Sequence, residues 1–593
     1  MDFLVQKRTM ELLYRLLTQK NEEAARIPYT PGKTLWPEEL PEGSRLERST
    51  PEAQGVSSEY VKDFFETLQA HPEAHVHSVM VLRHGKVIAE GSFAPYRPEL
   101  WHVTHSLCKS MTGMAVGMLI DEGKLSPDDR IIKIFSDQAG PLALLRQMNL
   151  TVRHLLTMTS GVVFNEAGAV TEEHWIKSFL ESNVRGVPGE TFQYNSMNSY
   201  MLAAVVCRVS GRSLSDYLKD KLWEPLGIRR IYWETSPEGI EKGGWGLYMT
   251  IEDMAKLGQL MLQKGCWEGR RILSEEWVSQ STSKQIETPP EMTPYGYGYQ
   301  IWMGQEPGSF QFNGMLGQNV MVFPRTDTVI VNTAGNMELD ARCQLAKWIE
   351  EYFGKDFAPS EEPLSENTAA WRKLQTLTEH LASPLKGTAA LSRRRVLAAQ
   401  KRALKKCGVK VLADGLGALC GHSFSSPDAS VSLMPLFMQA IQNNYSPGIH
   451  RLSFDFEDGA LYVTIFSGAE QYRLKVGFQR ACQQKIYIRG EAFQTAVQGH
   501  FTYSEDDIAV LKLRICFLEF ANERQIKIFL QPEGIKTYWS EAPGEEMIME
   551  ALNVVAGTGS GLMNTLLSRM DPGFFVYKLH KTLRPEAFFK KES

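Results

Sequence analysis

The 593-residue sequence is short of cysteine, of long apolar runs and of charge of one sign, and each shortage excludes something. The eight cysteines stand singly at Cys108, Cys207, Cys266, Cys343, Cys407, Cys420, Cys482 and Cys516. None is in C-x-x-C spacing, which argues against a zinc site or a disulfide framework and for a reducing compartment. No stretch approaches the roughly 20 apolar residues that a membrane span needs. The opening MDFLVQKRTMELLYRLL mixes charges with short apolar runs, unlike a cleavable leader. A cytoplasmic location without membrane association is therefore expected. A net charge of −5 gives no electrostatic reason to expect nucleic acid as a partner. The locally basic run Arg393 to Lys406 is interleaved with Val396, Leu397, Ala403 and Leu404 and reads as a solvated helix face.

Several motifs are missing as well. There is no Walker-type phosphate loop, no convincing G-x-G-x-x-G after a strand and no H-E-x-x-H. The G-x-S-x-G elbow is absent, although Gly557-Thr558-Gly559-Ser560-Gly561 approaches its composition. His102 and His105 lie three apart without a third ligand, so a hydrogen-bonding role is expected and no metal.

What is present is an ordinary globular composition, 43% apolar and 22% charged, in a chain too long for one core. An N-terminal helix and proline-containing arm are expected over 1–45 and an α+β domain over 46–355. A polar connector at 356–400, a β-rich domain at 401–545 and a tail at 546–593 complete the division. Residues 77–93 read as a hairpin around His84-Gly85. Ser106 to Glu122 reads as a helix, small and apolar nearly all round, therefore buried, and stopped by Gly123. Strands are expected over 318–324 and 327–333, and a helix near 338–353. In the β-rich part, Leu452, Phe454 and Phe456 alternate with polar residues. After the turn Asp458-Gly459, Leu461, Val463 and Ile465 alternate back. Repetition of this pattern predicts a small antiparallel barrel or sandwich.

The stretch that can carry chemistry is His105-Ser106-Leu107-Cys108-Lys109-Ser110. Residues three apart at the start of a helix share a face, so Ser106 and Lys109 can hydrogen-bond. Serine needs a base to take its proton, and a lysine can serve only if burial lowers its pKa. Met111, Met114, Ala115, Val116 and Met118 offer that environment. Alone, the S-x-x-K pattern is equally a helix cap followed by a surface lysine. About 85 residues on, Tyr194 stands in the loop Pro188-Gly189-Glu190-Thr191-Phe192-Gln193-Tyr194-Asn195-Ser196 and is a candidate second proton-transfer group.

Together these residues resemble the serine β-lactamase and penicillin-binding-protein superfamily, closest to its class C branch of β-lactamases, D-alanyl-D-alanine carboxypeptidases, S-x-x-K esterases and nylon-oligomer hydrolases. The likeness runs from about 50 to 355. It includes Leu150 to Gly161, Gly243-Gly244-Trp245-Gly246-Leu247 and Tyr295-Gly296-Tyr297-Gly298-Tyr299. The resemblance implies an antiparallel sheet covered by helices, with a helical subdomain inserted and the nucleophile at their junction. It implies Ser106 as the acylated nucleophile, Lys109 as base and Tyr194 as the base of the Y-x-N or Y-x-S motif, with Ser196 in the third position. Asn195 and Asn198 are nearby amides, neither in register.

The family's Lys- or His-x-Gly strand is similar to Phe310 through Gln318. Gly314 then keeps a bare backbone for the substrate, next to Asn313, and the Met315 and Ser106 amides form the oxyanion hole. Phe312 replaces the cation that in the family helps to bind a substrate carboxylate, a contact worth a few kcal/mol. A neutral ester or amide is the expected substrate, with no metal or organic cofactor. An acyltransferase, a D-amino-acid peptidase or β-lactamase-type activity on the same site, and a binding protein with a degenerate site are the alternatives. The β-rich domain weakly resembles lipocalin-like barrels appended to some relatives. Whether the chain oligomerises is left open.

Overall fold

The computed structural model describes residues 7–9, 11–12, 14–15, 27, 29–34, 36–338, 343–383, 412–427, 431–548 and 572–592. The basic run 393–406, Cys407, Gly557–Gly561 and much of the expected N-terminal helix and C-terminal tail lie outside the described residues. The chain divides into two compact units. One comprises 1–9, 36–382 and 550–564, the other 10–35, 383–549 and 565–593. The arm is thus shared between the two units, and the helical part of the connector belongs to the first.

In the first unit, helix α1 (Ser58–Ala70) is capped by Ser57, whose side chain accepts from Tyr60 N. Strands β1 (Val76–Arg83) and β2 (Lys86–Ser92) then form the expected hairpin. Its two turn residues, His84 and Gly85, have φ of 51° and 73°, the left-handed conformation that a two-residue hairpin favours. The short strand β3 (His102–Val103) leads through a 3-10 turn, His105–Cys108, into α2 (Lys109–Asp121). The helix begins at Lys109 rather than at Ser106. His105, at φ 49°, bends the chain sharply, and the turn after it is too tight for an α-helix.

Helices α3 (Val152–Leu156), α4 (Glu166–Ala169) and α5 (Ser196–Ser210) belong to the largely helical stretch that follows. Strand β4 (Leu247–Met249) pairs with β3, and α6 (Ile251–Leu262) follows it. The chain then returns to the sheet with β5 (Trp302–Met303), β6 (Phe310–Gly314), β7 (Gln318–Phe323) and β8 (Thr328–Ala334). It closes with α7 (Gln344–Phe353) and α8 (Thr368–Ala382).

The six strands pair in the order β2-β1-β8-β7-β6-β5, antiparallel throughout. Side chains alternate between its faces, and each face meets a different core. Val320, Val322, Val329 and Val331 join Met111, Met114 and Leu260 in one cluster. Met321, Phe323 and Ile330 join Phe64, Phe65, Ile349 and Leu374 in the other. Strands apolar on both faces therefore lie between two helical layers, and the nucleophile turn starts the helix that roofs one of them.

The second unit is a ten-stranded antiparallel sheet, nearly closed into a barrel. Its strands in chain order are β9 (His422–Ser425), β10 (Ile449–Glu457), β11 (Ala460–Ser467), β12 (Glu470–Val476), β13 (Cys482–Ile488), β14 (Glu491–Tyr503), β15 (Ala509–Phe517), β16 (Glu523–Gln531), β17 (Gly534–Ala542) and β18 (Glu586–Lys591). The spatial order is β12-β11-β10-β9-β18-β17-β16-β15-β14-β13. Asp458 and Gly459, with φ of 51° and 73°, form the turn between β10 and β11. Leu452 and Phe454 are buried opposite Ile465 and Val463, but Phe456, at the end of its strand, is exposed. Between the first and last strands the Gln484 amide bridges the gap, donating to Lys475 O at 3.1 Å and accepting from Lys475 N at 2.9 Å.

Residues 29–34 belong to this unit. Lys33, 4% exposed, donates to Glu519 Oε2 at 2.8 Å and to Ala492 O at 2.6 Å, with the Phe493 and Phe520 rings within 6 Å.

Candidate active site

From Trp101 to Leu119 every residue is buried except Ser106. A helix apolar on all sides cannot face solvent, so the turn before it supplies the one opening in that stretch. Two anchors hold the turn. Thr104 donates twice to Leu247 O on β4, from N at 2.8 Å and from Oγ1 at 2.9 Å. On the other side β6 presses close. A Cβ at Gly314 would collide with the Thr104 carbonyl and come within 3.2 Å of Leu107 N, so glycine is needed there.

Lys109, the first residue of α2, is 1% exposed. Its Nζ donates to Ser106 Oγ at 3.0 Å, to Ser196 Oγ at 2.8 Å and to Gly244 O at 2.6 Å. All three ammonium donors thus have acceptors, which is how a buried lysine is tolerated. Burial lowers its pKa from 10.5 to about 8, against the opposing pull of Cys108 and Glu166. The pair Gly243-Gly244 is fixed to α2 from above: Gly243 O accepts from Thr112 Oγ1 at 2.7 Å and from Cys108 Sγ at 3.6 Å. A Cβ at Gly244 would lie 2.9 Å from Ser196 Cβ and 3.4 Å from Lys109 Nζ. Only a bare backbone lets this carbonyl reach the ammonium.

Tyr194 completes the group. Its hydroxyl lies near Ser106, and its ring centroid lies 5.0 Å from Lys109 Nζ. The ring stacks on Trp302 at 5.5 Å, within a cluster of Met158, Phe192, Tyr297 and Trp302 bordered by Ile286 and Met292. Burial pushes the phenol well above its ordinary pKa, with Ser106 pulling the other way and Glu166 adding to the rise. At neutral pH Tyr194 is therefore a neutral hydroxyl that can pass a proton on, and Lys109 is the group whose pKa suits a base.

Ser196 Oγ joins this group by accepting from Lys109. The two neighbouring amides are used elsewhere. Asn195 caps α5, accepting from Met197 N, and donates to Val162 O and Phe164 O. Asn198 accepts from Ser160 Oγ at 2.6 Å. Gly314 ends β6 beside the nucleophile turn, Met315 opens the turn that follows, and Gln318 pins the hairpin by donating to the carbonyls of Met315, Leu316 and Ala334.

Two residues expected to bind substrate are placed differently. Asn313 alternates with Gly314 along β6 and so faces the other side of the sheet, where its amide donates to Asn319 Oδ1 at 2.6 Å. It does not share the face of Ser106. Phe312 is fully buried in the core between sheet and helices.

The structure adds a residue that sequence reading passed over. Glu166, at the start of α4, accepts from Ser196 N at 2.7 Å. It is the carboxylate that acts electrostatically on both Lys109 and Tyr194. A lone glutamate in a helical stretch gives no signal of this kind.

His102 hydrogen-bonds His77 at 3.1 Å. His105 is fully buried, and burial, with the charges of His102 and Lys109, lowers its pKa to about 3. Among the described residues, no group of three or more His, Cys, Asp or Glu is placed to hold a metal ion. The seven described cysteines are free, and among the described residues no helix is long and apolar enough to cross a membrane.

The chain is similar to several known proteins. The family model described as Beta-lactamase matches residues 61–345. The 6-aminohexanoate-dimer hydrolase of Paenarthrobacter ureafaciens is 30% identical over 291 residues, covering 44% of this chain and 73% of that protein. Among solved structures, EstCE1, a hydrolase with promiscuous acyltransferase activity, is similar with a TM-score of 0.43 and 17% identity, over 50% of this chain and 99% of that one. The octameric penicillin-binding protein homologue from Pyrococcus abyssi aligns with a TM-score of 0.41 and 17% identity, over 78% and 98% of the two chains. The chain belongs to the serine β-lactamase and penicillin-binding-protein superfamily and is a serine hydrolase of that fold.

Proposed function

We propose that this serine hydrolase cleaves a neutral ester or small amide through an acyl-enzyme on Ser106. The observation that carries the reading is Ser106 Oγ 3.0 Å from a buried lysine that also lies 5.0 Å from the Tyr194 ring. Lys109 Nζ takes the Ser106 proton as Oγ bonds to the substrate carbonyl carbon and the carbonyl electron pair moves to oxygen. The Ser106 and Met315 amides stabilise that oxyanion. On collapse the bond to the leaving group breaks, and Tyr194 delivers a proton to it while recovering one from Lys109. Water then adds to the acyl group by the same steps and frees Ser106.

Phe312 supports the preference for uncharged substrates, because a free carboxylate finds no cation at that strand position. The similarity to a 6-aminohexanoate-dimer hydrolase makes that dimer, an amide with a free carboxylate, the contrasting substrate to test, expected to be turned over less well than an uncharged amide.

The test is hydrolysis of short-chain p-nitrophenyl esters and small amides by wild type and Ser106→Ala, with intact mass measured for a trapped adduct. Turnover and an adduct in wild type, both lost in the variant, support the reading. Equal rates in both proteins without an adduct refute it.

A further inference from the structure

The site contains a charge that the scheme above does not use. Glu166 Oε1 accepts from the backbone N–H of Ser196 at 2.7 Å, and Ser196 Oγ accepts from Lys109 Nζ at 2.8 Å. The carboxylate is built into place from two sides. Asn165 caps α4 by accepting from Gly168 N, and the Asn195 amide donates to Val162 O at 3.0 Å and Phe164 O at 2.9 Å. The loop carrying Glu166 is thereby tied to the first residues of α5. Ser196 is the first residue of that 15-residue helix, so the carboxylate also sits where the helix dipole favours negative charge.

Three elements and the chain's own turn surround Lys109. His105 and Cys108 come from the turn, Tyr194 and Ser196 from the start of α5, the Gly244 carbonyl from the loop before β4, and Glu166 from α4. His105 is neutral at working pH, and burial raises the Cys108 thiol to about 12. Tyr194 is a neutral phenol. Glu166 is the one carboxylate in this set.

We propose that Glu166 is a positioning residue for the proposed reaction, holding Ser196 against Lys109 and supporting with its charge the ammonium formed when Lys109 takes the Ser106 proton. The inference rests on the Ser106 reading above. It separates two contributions of one side chain, a hydrogen bond to Ser196 N–H and a negative charge, and two substitutions separate them. Glu166→Gln keeps an acceptor oxygen of the same reach and loses the charge. Glu166→Asp keeps the charge and shortens the reach.

The experiment is the pH dependence of kcat/KM for wild type, Glu166→Gln and Glu166→Asp on whichever p-nitrophenyl ester wild type turns over best. A base must be unprotonated, so the wild-type rate rises with pH through the Lys109 titration. Removing a negative charge lowers the proton affinity of Lys109. The rise in Glu166→Gln should therefore move to lower pH, by about half to one unit, while the maximal rate falls about tenfold. In Glu166→Asp the rate falls but the rise stays at the wild-type pH. A purely structural role predicts lower rates in both variants with unmoved profiles, and that result overturns the proposal. Intact mass on wild type with the same ester separates the two levels of failure. A Ser106 adduct with superimposable profiles refutes the role of Glu166 alone, whereas no adduct refutes the Ser106 reading on which it rests.

Discussion

Lys109 should make the catalytic unit more stable at alkaline pH, and the size of the effect follows from its burial. In an unfolded chain the side chain titrates at about 10.5; in the folded unit it titrates at about 8. Between these values the unfolded state holds the proton more firmly, so folding expels it and stability rises with pH. Below pH 8 the folded unit carries the full penalty of a buried ammonium. The separation of the two titrations corresponds to about 3 kcal/mol, of which about 2.5 kcal/mol is recovered between pH 7 and pH 10.

Lys109→Met removes this titration and leaves every other one in common, so the difference between the two proteins isolates it. Urea unfolding followed by tryptophan fluorescence is the assay. Eleven of the twelve tryptophans lie in the first unit, so the signal reports mainly on it. The stability of wild type relative to Lys109→Met should climb by about 2.5 kcal/mol from pH 7 to pH 10. A difference independent of pH would refute the depressed pKa, and with it Lys109 as a base working near neutrality. The same titration should appear as the rising limb of kcat/KM.

Tyr194→Phe keeps the ring on Trp302 and removes the hydroxyl on Ser106, so kcat should fall about 10²- to 10⁴-fold with KM little changed in steady-state assays. Gly244→Ala puts a methyl 2.9 Å from Ser196 Cβ and should cost about 1–3 kcal/mol in urea unfolding, together with most of the activity. Phe312→Ala empties a fully buried position and should cost about 3–5 kcal/mol, while gaining no affinity for carboxylate-bearing substrates in inhibition assays. In the second unit, Lys33→Met removes the ammonium 2.8 Å from buried Glu519 and should cost about 3–5 kcal/mol in urea unfolding. Lys33→Met with Glu519→Leu should recover much of that loss in the same assay.

The parts of this protein legible in the sequence are those written locally. His84-Gly85 and Asp458-Gly459 announce their hairpins because the turn conformation demands such residues. The apolar stretch after Ser106 announces a buried helix, and the alternation around Leu452 and Val463 announces paired strands. Spacing also brings Ser106 and Lys109 together, since both lie on one turn and the next. What the sequence conceals depends on distant partners. The 3-10 turn at His105–Cys108 follows from anchoring at Thr104 and from the pressure of β6, neither visible nearby. Asn313 reads as a site residue because it adjoins Gly314, but a one-residue step along a strand changes the face. Phe312 reads as lining the site and is in fact sealed beneath it. Glu166 reaches Ser196 across 30 positions of chain, and nothing around Phe164-Asn165-Glu166 marks it.

The Lys33–Glu519 pair has a consequence for how this chain is made. The two residues are 486 positions apart, yet their charges are buried against each other at 2.8 Å. At synthesis rates of about 5–20 residues per second, Lys33 emerges roughly half a minute to a minute and a half before its partner exists. Until then residues 29–34 have no finished barrel to join. The first unit, which lies between them in the chain, can mature during that wait. The second unit closes late and by long-range encounter, a slow kind of contact. Interrupted synthesis or clipping between the units would leave residues 29–34 without the strands that bury Lys33.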